Sequence, residues 1–259
     1  MTTPRPILIV EDDAALRATL AEQIMLVGDF RIDEAETAAE ASAKLDNGDA
    51  RYDAILLDVG LPDAEHGRAA GGQDSRGGQP QPHVRVFNNA GYDVLRFDRA
   101  PATDETDAAA AWMRSALSEL RAQGYDRIVV GGQSRGAWNA LQALGQPGLA
   151  DAVVAVAPAA HGARGSAAWA WALDDLRQVV KAARSPAARV VVANFTGDEF
   201  DPDPEGRARI FRGLASPQVG ALLFLDRPQG LDGHGAGADA RFTQRYGACL
   251  LEFIEGRAS

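Results

Sequence analysis

Short runs of consecutive apolar residues alternate along this chain with stretches in which apolar residues recur every three or four positions. The first run, Ile7-Leu8-Ile9-Val10, precedes a helical pattern through Leu16, Leu20 and Ile24 that Asp12 or Asp13 would cap. A weaker strand covers Phe30 to Ile32, and an alanine-rich helix runs from Thr37 to about Leu45. Ala54-Ile55-Leu56-Leu57 then ends at Asp58. Later strands are expected at Asp93–Phe97, Arg127–Val130, Ala152–Val156, Arg189–Asn194 and Gly220–Leu225. Helices are expected at Ala108–Gln123, Arg135–Leu144, Leu173–Ala183 and from about Arg241 to Ile254. Continuous apolar strands separated by helices imply burial on both faces. The expected fold is therefore α/β, a mostly parallel sheet of about eight strands with helices on both faces.

The pattern breaks between Gly60 and Pro82, where Gly67, Gly71, Gly72, Gly77, Gly78, Pro62 and Pro80 cluster. Such a stretch is a linker or an active-site loop. It divides the chain into residues 1–63, a junction at 64–84, and residues 85–259.

The chain has 259 residues and a formal net charge of -10. The length suits one large α/β domain or two small ones. The acidic balance gives no pull toward nucleic acid or an anionic membrane surface. No apolar run approaches the roughly 20 residues that span a bilayer, and Glu11, Asp12 and Asp13 follow Met1 too soon for a signal-peptide core. The single cysteine, Cys249, lies in Ala248-Cys249-Leu250-Leu251 and reads as a small core residue. With no intramolecular disulfide to form, a reducing, cytoplasmic setting is expected.

Chemistry concentrates at Ile128-Val129-Val130-Gly131-Gly132-Gln133-Ser134-Arg135-Gly136. This is a strand, a turn and a helix start carrying Gly132-x-Ser134-x-Gly136. In such an elbow a strained turn exposes the serine hydroxyl at the sheet edge, and the glycines let strand and helix approach. The amide of Arg135 then faces the site of a developing oxyanion. A base and an orienting acid should follow in the order serine, acid, histidine. His234 lies after the last strand, in Gly233-His234-Gly235, and alone of the four histidines fits the base. His66 and His83 lie in or beside the glycine-rich stretch, and His161 reads as a pocket-rim or structural residue. For the acid, Asp198 is favoured over Asp201, with Asp203 behind both. The bland alternative for Asp198, Glu199, Asp201 and Asp203 is a solvated acidic loop. Trp169 and Trp171 are either a short lid over an apolar pocket or packing residues.

From about Arg85 to Ile254 the chain resembles the α/β-hydrolases, through the elbow, the order of Ser134, Asp198 and His234, and Gly91-Tyr92-Asp93-Val94-Leu95-Arg96-Phe97-Asp98-Arg99. The resemblance implies a serine hydrolase acting on a small-molecule ester, thioester or amide without a cofactor. It also implies a second oxyanion amide from the loop after the third strand, at Gly71 or Gly72.

Residues 5 to about 63 are similar to the first half of a response-regulator receiver domain. The motifs are Ile7-Leu8-Ile9-Val10-Glu11-Asp12-Asp13 and Ile55-Leu56-Leu57-Asp58-Val59-Gly60-Leu61-Pro62. That likeness implies a phosphoacceptor at Asp58 and Mg²⁺ at Asp12, Asp13 and Asp58, hence a signalling protein as the second reading. The family's later hydroxyl and lysine have no counterpart at Phe97-Asp98-Arg99 or Val130-Gly131-Gly132. A folded but inactive chimera is the third reading. Both parts are compatible with one merged sheet in the order 2-1-4-3-5-6-7-8 by chain position.

Overall fold

The computed structural model describes residues 5–10, 30–35, 53–58, 80–98, 106–214 and 217–257. They fall into two compact units, Met1–Arg51 and Tyr52–Ser259. In the first, β1 (Arg5–Val10) runs parallel to β2 (Phe30–Ala35), in register from Arg5↔Phe30 to Val10↔Ala35. The expected helices near Leu16–Ile24 and Thr37–Leu45 lie outside the described residues.

The second unit is built on β3 (Asp53–Asp58), β4 (Tyr92–Phe97), β5 (Ile128–Gln133), β6 (Ala152–Val156), β7 (Ser185–Asn194) and β8 (Val219–Asp226). They form one sheet in the order β4-β3-β5-β6-β7-β8, parallel throughout. A single sheet of about eight strands is therefore corrected to sheets of six and two among the described residues. The run 4-3-5-6-7-8 is present, whereas β1 and β2 pair with each other in the other unit. Apolar periodicity marks a strand but holds no record of which edge finds a partner. β4 takes the edge beside β3, from Asp53↔Tyr92 to Asp58↔Phe97.

Every residue of β5 and β6 is buried, as continuous Ile-Val-Val and Ala-Val-Val-Ala-Val runs require in a sheet covered on both sides. Alternate side chains feed two cores. Ile128, Val130, Val153, Val190 and Val192 pack with Leu117, Leu141, Leu176 and Phe211. These come from α2 (Thr106–Ala122), α3 (Arg135–Ala143), α4 (Ala172–Ala182) and α5 (Pro204–Arg212). Val129, Val154, Val191 and Ala193 pack with Phe87, Phe242, Leu250 and Phe253, carried on α1 (Val84–Asn89) and α6 (Ala240–Ile254). Each large side chain so buried stabilises the sandwich by about 1.5–3 kcal/mol.

Two helices escaped the periodicity argument. α1 is a short helix following the glycine-rich junction, and α5 lies among the prolines and acids after β7. The start of α5 is nevertheless conventional. Asp203 caps it by accepting from the Gly206 N–H at 2.9 Å, and Pro204 occupies the first turn. Cys249 is exposed, against expectation. Its neighbour Leu250 faces the core, and adjacent helical positions point about 100° apart.

Candidate active site

The turn after β5 holds Ser134 at φ 55° and ψ −119°. A residue with a Cβ adopts such a conformation at a cost of about 1–3 kcal/mol, so its surroundings must enforce it. They do so by backbone hydrogen bonds. The Ser134 N–H donates to Val156 O at 3.0 Å, and the N–H groups of Trp138 and Ala159 donate to Ser134 O at 3.0 and 3.1 Å. The preceding glycine is required by contact. A Cβ on Gly132 would lie 2.5 Å from the carbonyl carbon of Gly136. Strand and helix backbones therefore touch, and only glycine fits between them.

Arg135 opens α3. Its amide is thus among the four that a helix leaves without an intrahelical acceptor. Its guanidinium donates to Ala160 O at 3.3 Å, and the residue is buried. The second oxyanion candidates, Gly71 and Gly72, lie outside the described residues.

The loops after β7 and β8 bring Asp198 and His234 together. The strands stay in register to Asn194↔Asp226. A further parallel bridge joins Thr196 and Asp232, and the Gly233 N–H donates to Thr196 O at 2.7 Å. Two residues on from Thr196 is Asp198, and next after Gly233 is His234. Nδ1 of His234 hydrogen-bonds Oδ1 of Asp198 at 2.9 Å, with both side chains buried. The same Oδ1 accepts from the Phe200 N–H at 2.9 Å, and the Phe200 ring lies 4.2 Å from the imidazole. Nε2 of His234 is buried and makes no hydrogen bond among the described residues, to Ser134 or to any other group.

Gln133 and His83 tie the histidine loop down, and both were missed by sequence reasoning. Nε2 of the buried Gln133 donates to His234 O at 2.8 Å. His83 hydrogen-bonds the backbone of Gly237 and packs edge-on against Phe242 at 5.6 Å. Burial pushes its imidazole down to about 4, with the Gly237 bond opposing. A sequence signal existed for Gln133 alone, as the residue beside Ser134 in the elbow motif.

Asp201 does not contact His234 through any hydrogen bond described. It lies beside Arg207, whose Nε is 3.3 Å from Asp201 Oδ2 and whose Nη1 is 4.0 Å from Asp198 Oδ2. Burial pushes the Asp201 carboxyl up, and Arg207 opposes this. Both acids are buried, so the solvated-loop alternative does not describe them. Asp203 caps α5 instead.

His161 is buried with Nε2 2.7 Å from Asp175 Oδ2 and its ring 5.0 Å from that of Trp138. Its pKa is lowered by burial, with Asp175 opposing. The segment it opens reaches the acid loop, where the Arg164 N–H donates to Glu199 O at 3.0 Å. Trp171 is 50% exposed, while Trp169 is half-buried beside the Arg164 guanidinium. Of the receiver-like acids, Asp12 and Asp13 lie outside the described residues. Asp58 ends β3, in register with Gly132 of the elbow strand. No group of three or more His, Cys, Asp or Glu among the described residues is arranged to hold a metal ion. Nor is any described helix long and apolar enough to cross a membrane.

No family model matches the chain, so the receiver likeness rests on its motifs alone. No curated protein matches it in sequence. Solved structures do resemble it. A truncated carbohydrate esterase from gut microbiota shares 14% identity, with 81% of this chain and 88% of that one covered and a TM-score of 0.54. Est1E from Butyrivibrio proteoclasticus shares 12%, covering 81% and 91%, with a TM-score of 0.54. An esterase of Pyrococcus furiosus shares 14%, covering 80% and 82%, with a TM-score of 0.54. At these identities the likeness establishes the fold, an α/β-hydrolase-type parallel sheet covered by helices.

Proposed function

We propose that this chain is a serine hydrolase of small-molecule esters, thioesters or amides. The observation that carries the proposal is the buried hydrogen bond between His234 and Asp198, formed by two loops on the same sheet edge as the strained turn that presents Ser134. Ser134 Oγ attacks the carbonyl carbon while its proton passes to His234 Nε2. Asp198, accepting from Nδ1–H, sets the tautomer that leaves Nε2 as the base and stabilises the imidazolium. The Arg135 amide stabilises the oxyanion. His234 then protonates the leaving group, and water repeats the sequence on the acyl-serine. No cofactor enters. The esterases among the structural neighbours fit this reading, and a second amide from Gly72 would complete the oxyanion site.

A fluorophosphonate probe followed by peptide mapping tests it. Labelling of Ser134 that vanishes in Ser134→Ala is expected. A folded protein that stays unlabelled would overturn the proposal.

A further inference from the structure

A buried arginine stands behind the acid, unused by the chemistry above. Arg207 on α5 is 2% exposed, and its guanidinium lies between two carboxylates that are themselves buried. Its contacts are Nε to Asp201 Oδ2 at 3.3 Å, Nη1 to Asp198 Oδ2 at 4.0 Å and Nη2 to Phe200 O at 3.4 Å. Oδ2 of Asp198 has no hydrogen bond among the described residues. Its sister oxygen carries both the His234 and the Phe200 bonds. The guanidinium lies 4.0 Å from that second oxygen and opposes its negative charge. A carboxylate without water or a cation takes up a proton, and two buried carboxylates side by side cannot both stay ionised.

We propose that Arg207 is a positioning residue that holds Asp198 and Asp201 ionised together, so that Asp198 remains the acceptor for His234. This rests on the hydrolase reading for its purpose but not for its test. Without the guanidinium nothing in this cluster opposes the mutual repulsion of the two carboxylates, and a shared proton is favoured. A proton on Asp198 weakens the charge-assisted bond that orients the imidazole. The charged and titratable groups facing this site are Asp198 and Asp201 with Asp203 from the acid loop and α5, His234 from the loop after β8, and His161, whose charge is felt by Arg207 and Arg135 and which is paired with Asp175.

The test compares wild type with Arg207→Met, Arg207→Gln, Arg207→Lys and the double variant Arg207→Met with Asp201→Asn. The readout is the far-downfield proton resonance of the His234–Asp198 bond, assigned by its loss in His234→Ala. It should be present at neutral pH in wild type and in Arg207→Lys. In the neutral variants it should weaken or vanish at neutral pH, then return as the pH is raised. In the double variant, where the competing carboxylate is gone, it should return without a change of pH. A purely structural arginine, bracing Phe200 O, would not be rescued by removing Asp201. Arg207→Gln keeps a donor for that carbonyl and serves should Arg207→Met fail to fold. The proposal is overturned by a resonance of wild-type intensity in a folded neutral variant, by no recovery in a folded double variant, or by no resonance in wild type. Fluorophosphonate labelling of the same samples judges the hydrolase reading separately. A resonance that behaves as expected in an unlabelled protein would sink that reading and leave the role of Arg207 standing.

Discussion

Gly132→Ala adds one methyl group at the tightest backbone approach of the elbow. Gly132 lies in β5 with φ outside the left-handed region, so alanine is compatible with its backbone and the effect is steric alone. The new Cβ would sit 2.5 Å from Gly136 C and 2.8 Å from both its Cα and its O. All are main-chain atoms at the start of α3, and no rotamer change moves them. Reaching ordinary contact needs the helix start to retreat by about 0.9 Å from a strand that is buried on all sides. Overpacking of this kind costs about 1–3 kcal/mol, and the upper half applies because backbone must move. For a unit of this size that corresponds to a fall in Tm of about 5–10 °C. The same retreat carries Ser134 and the Arg135 amide with it, and misplacement by about 1 Å can cost on the order of a hundredfold in rate. The assay is differential scanning calorimetry alongside the rate of fluorophosphonate labelling. Gly235→Ala serves as the stability control, since its Cβ would meet nothing within 4 Å, and a change within about 0.5 kcal/mol is expected there. Equal Tm and equal labelling rate for Gly132→Ala and wild type would refute the claim that the elbow depends on this contact.

Three further outcomes follow from the site. Asp198→Asn should lower kcat on the order of 10³-fold or more with little change in KM, because an amide facing Nδ1 favours the wrong tautomer; steady-state kinetics showing under tenfold loss would count against Asp198 as the orienting acid. Gln133→Leu removes the donor to His234 O and leaves that buried carbonyl unpaired, so a stability loss of about 1–3 kcal/mol with slower labelling is expected, read by urea melts and probe kinetics. His83 protonates near 6.5 when unfolded but only near 4 when folded. The unfolded state therefore binds the extra proton between those values, and stability present above 6.5 is lost as pH falls toward 4, by up to about 3 kcal/mol. His83→Gln should show a smaller loss between pH 7.5 and 4.5 in urea melts, and an unchanged loss would argue that His83 is not the group responsible.

The features legible in advance are those that neighbouring residues fix. The elbow declares itself through an apolar strand, two glycines and a helix start within a few positions, and the conformation of Ser134 bears out the strain such a turn implies. The likeness of order among Ser134, Asp198 and His234 pointed to a pair that the structure joins by a hydrogen bond. What escaped was set by partners far along the chain. Nothing around Arg207 marks it as buried, since an arginine in the sequence Glu205-Gly206-Arg207-Ala208-Arg209 reads as solvated. It is drawn inside by carboxylates that the acidic loop itself buries. His83 stands at the N-cap of the short helix α1, and its burial is intelligible only against Phe242 of α6. Cys249 was misplaced because a run of four apolar residues does not say which of them a helix turns inward.

By itself the sequence determined the alternation of strands and helices and the strained turn, because both follow from side-chain period and backbone sterics within a few residues. Only the tertiary structure decided that the strands divide between two sheets, that Asp198 rather than Asp201 meets His234, and that a guanidinium sits behind the pair. Those outcomes depend on register between distant strands, here the bridge from Thr196 to Asp232, and on the desolvation of charges that must then find partners wherever the fold has placed them.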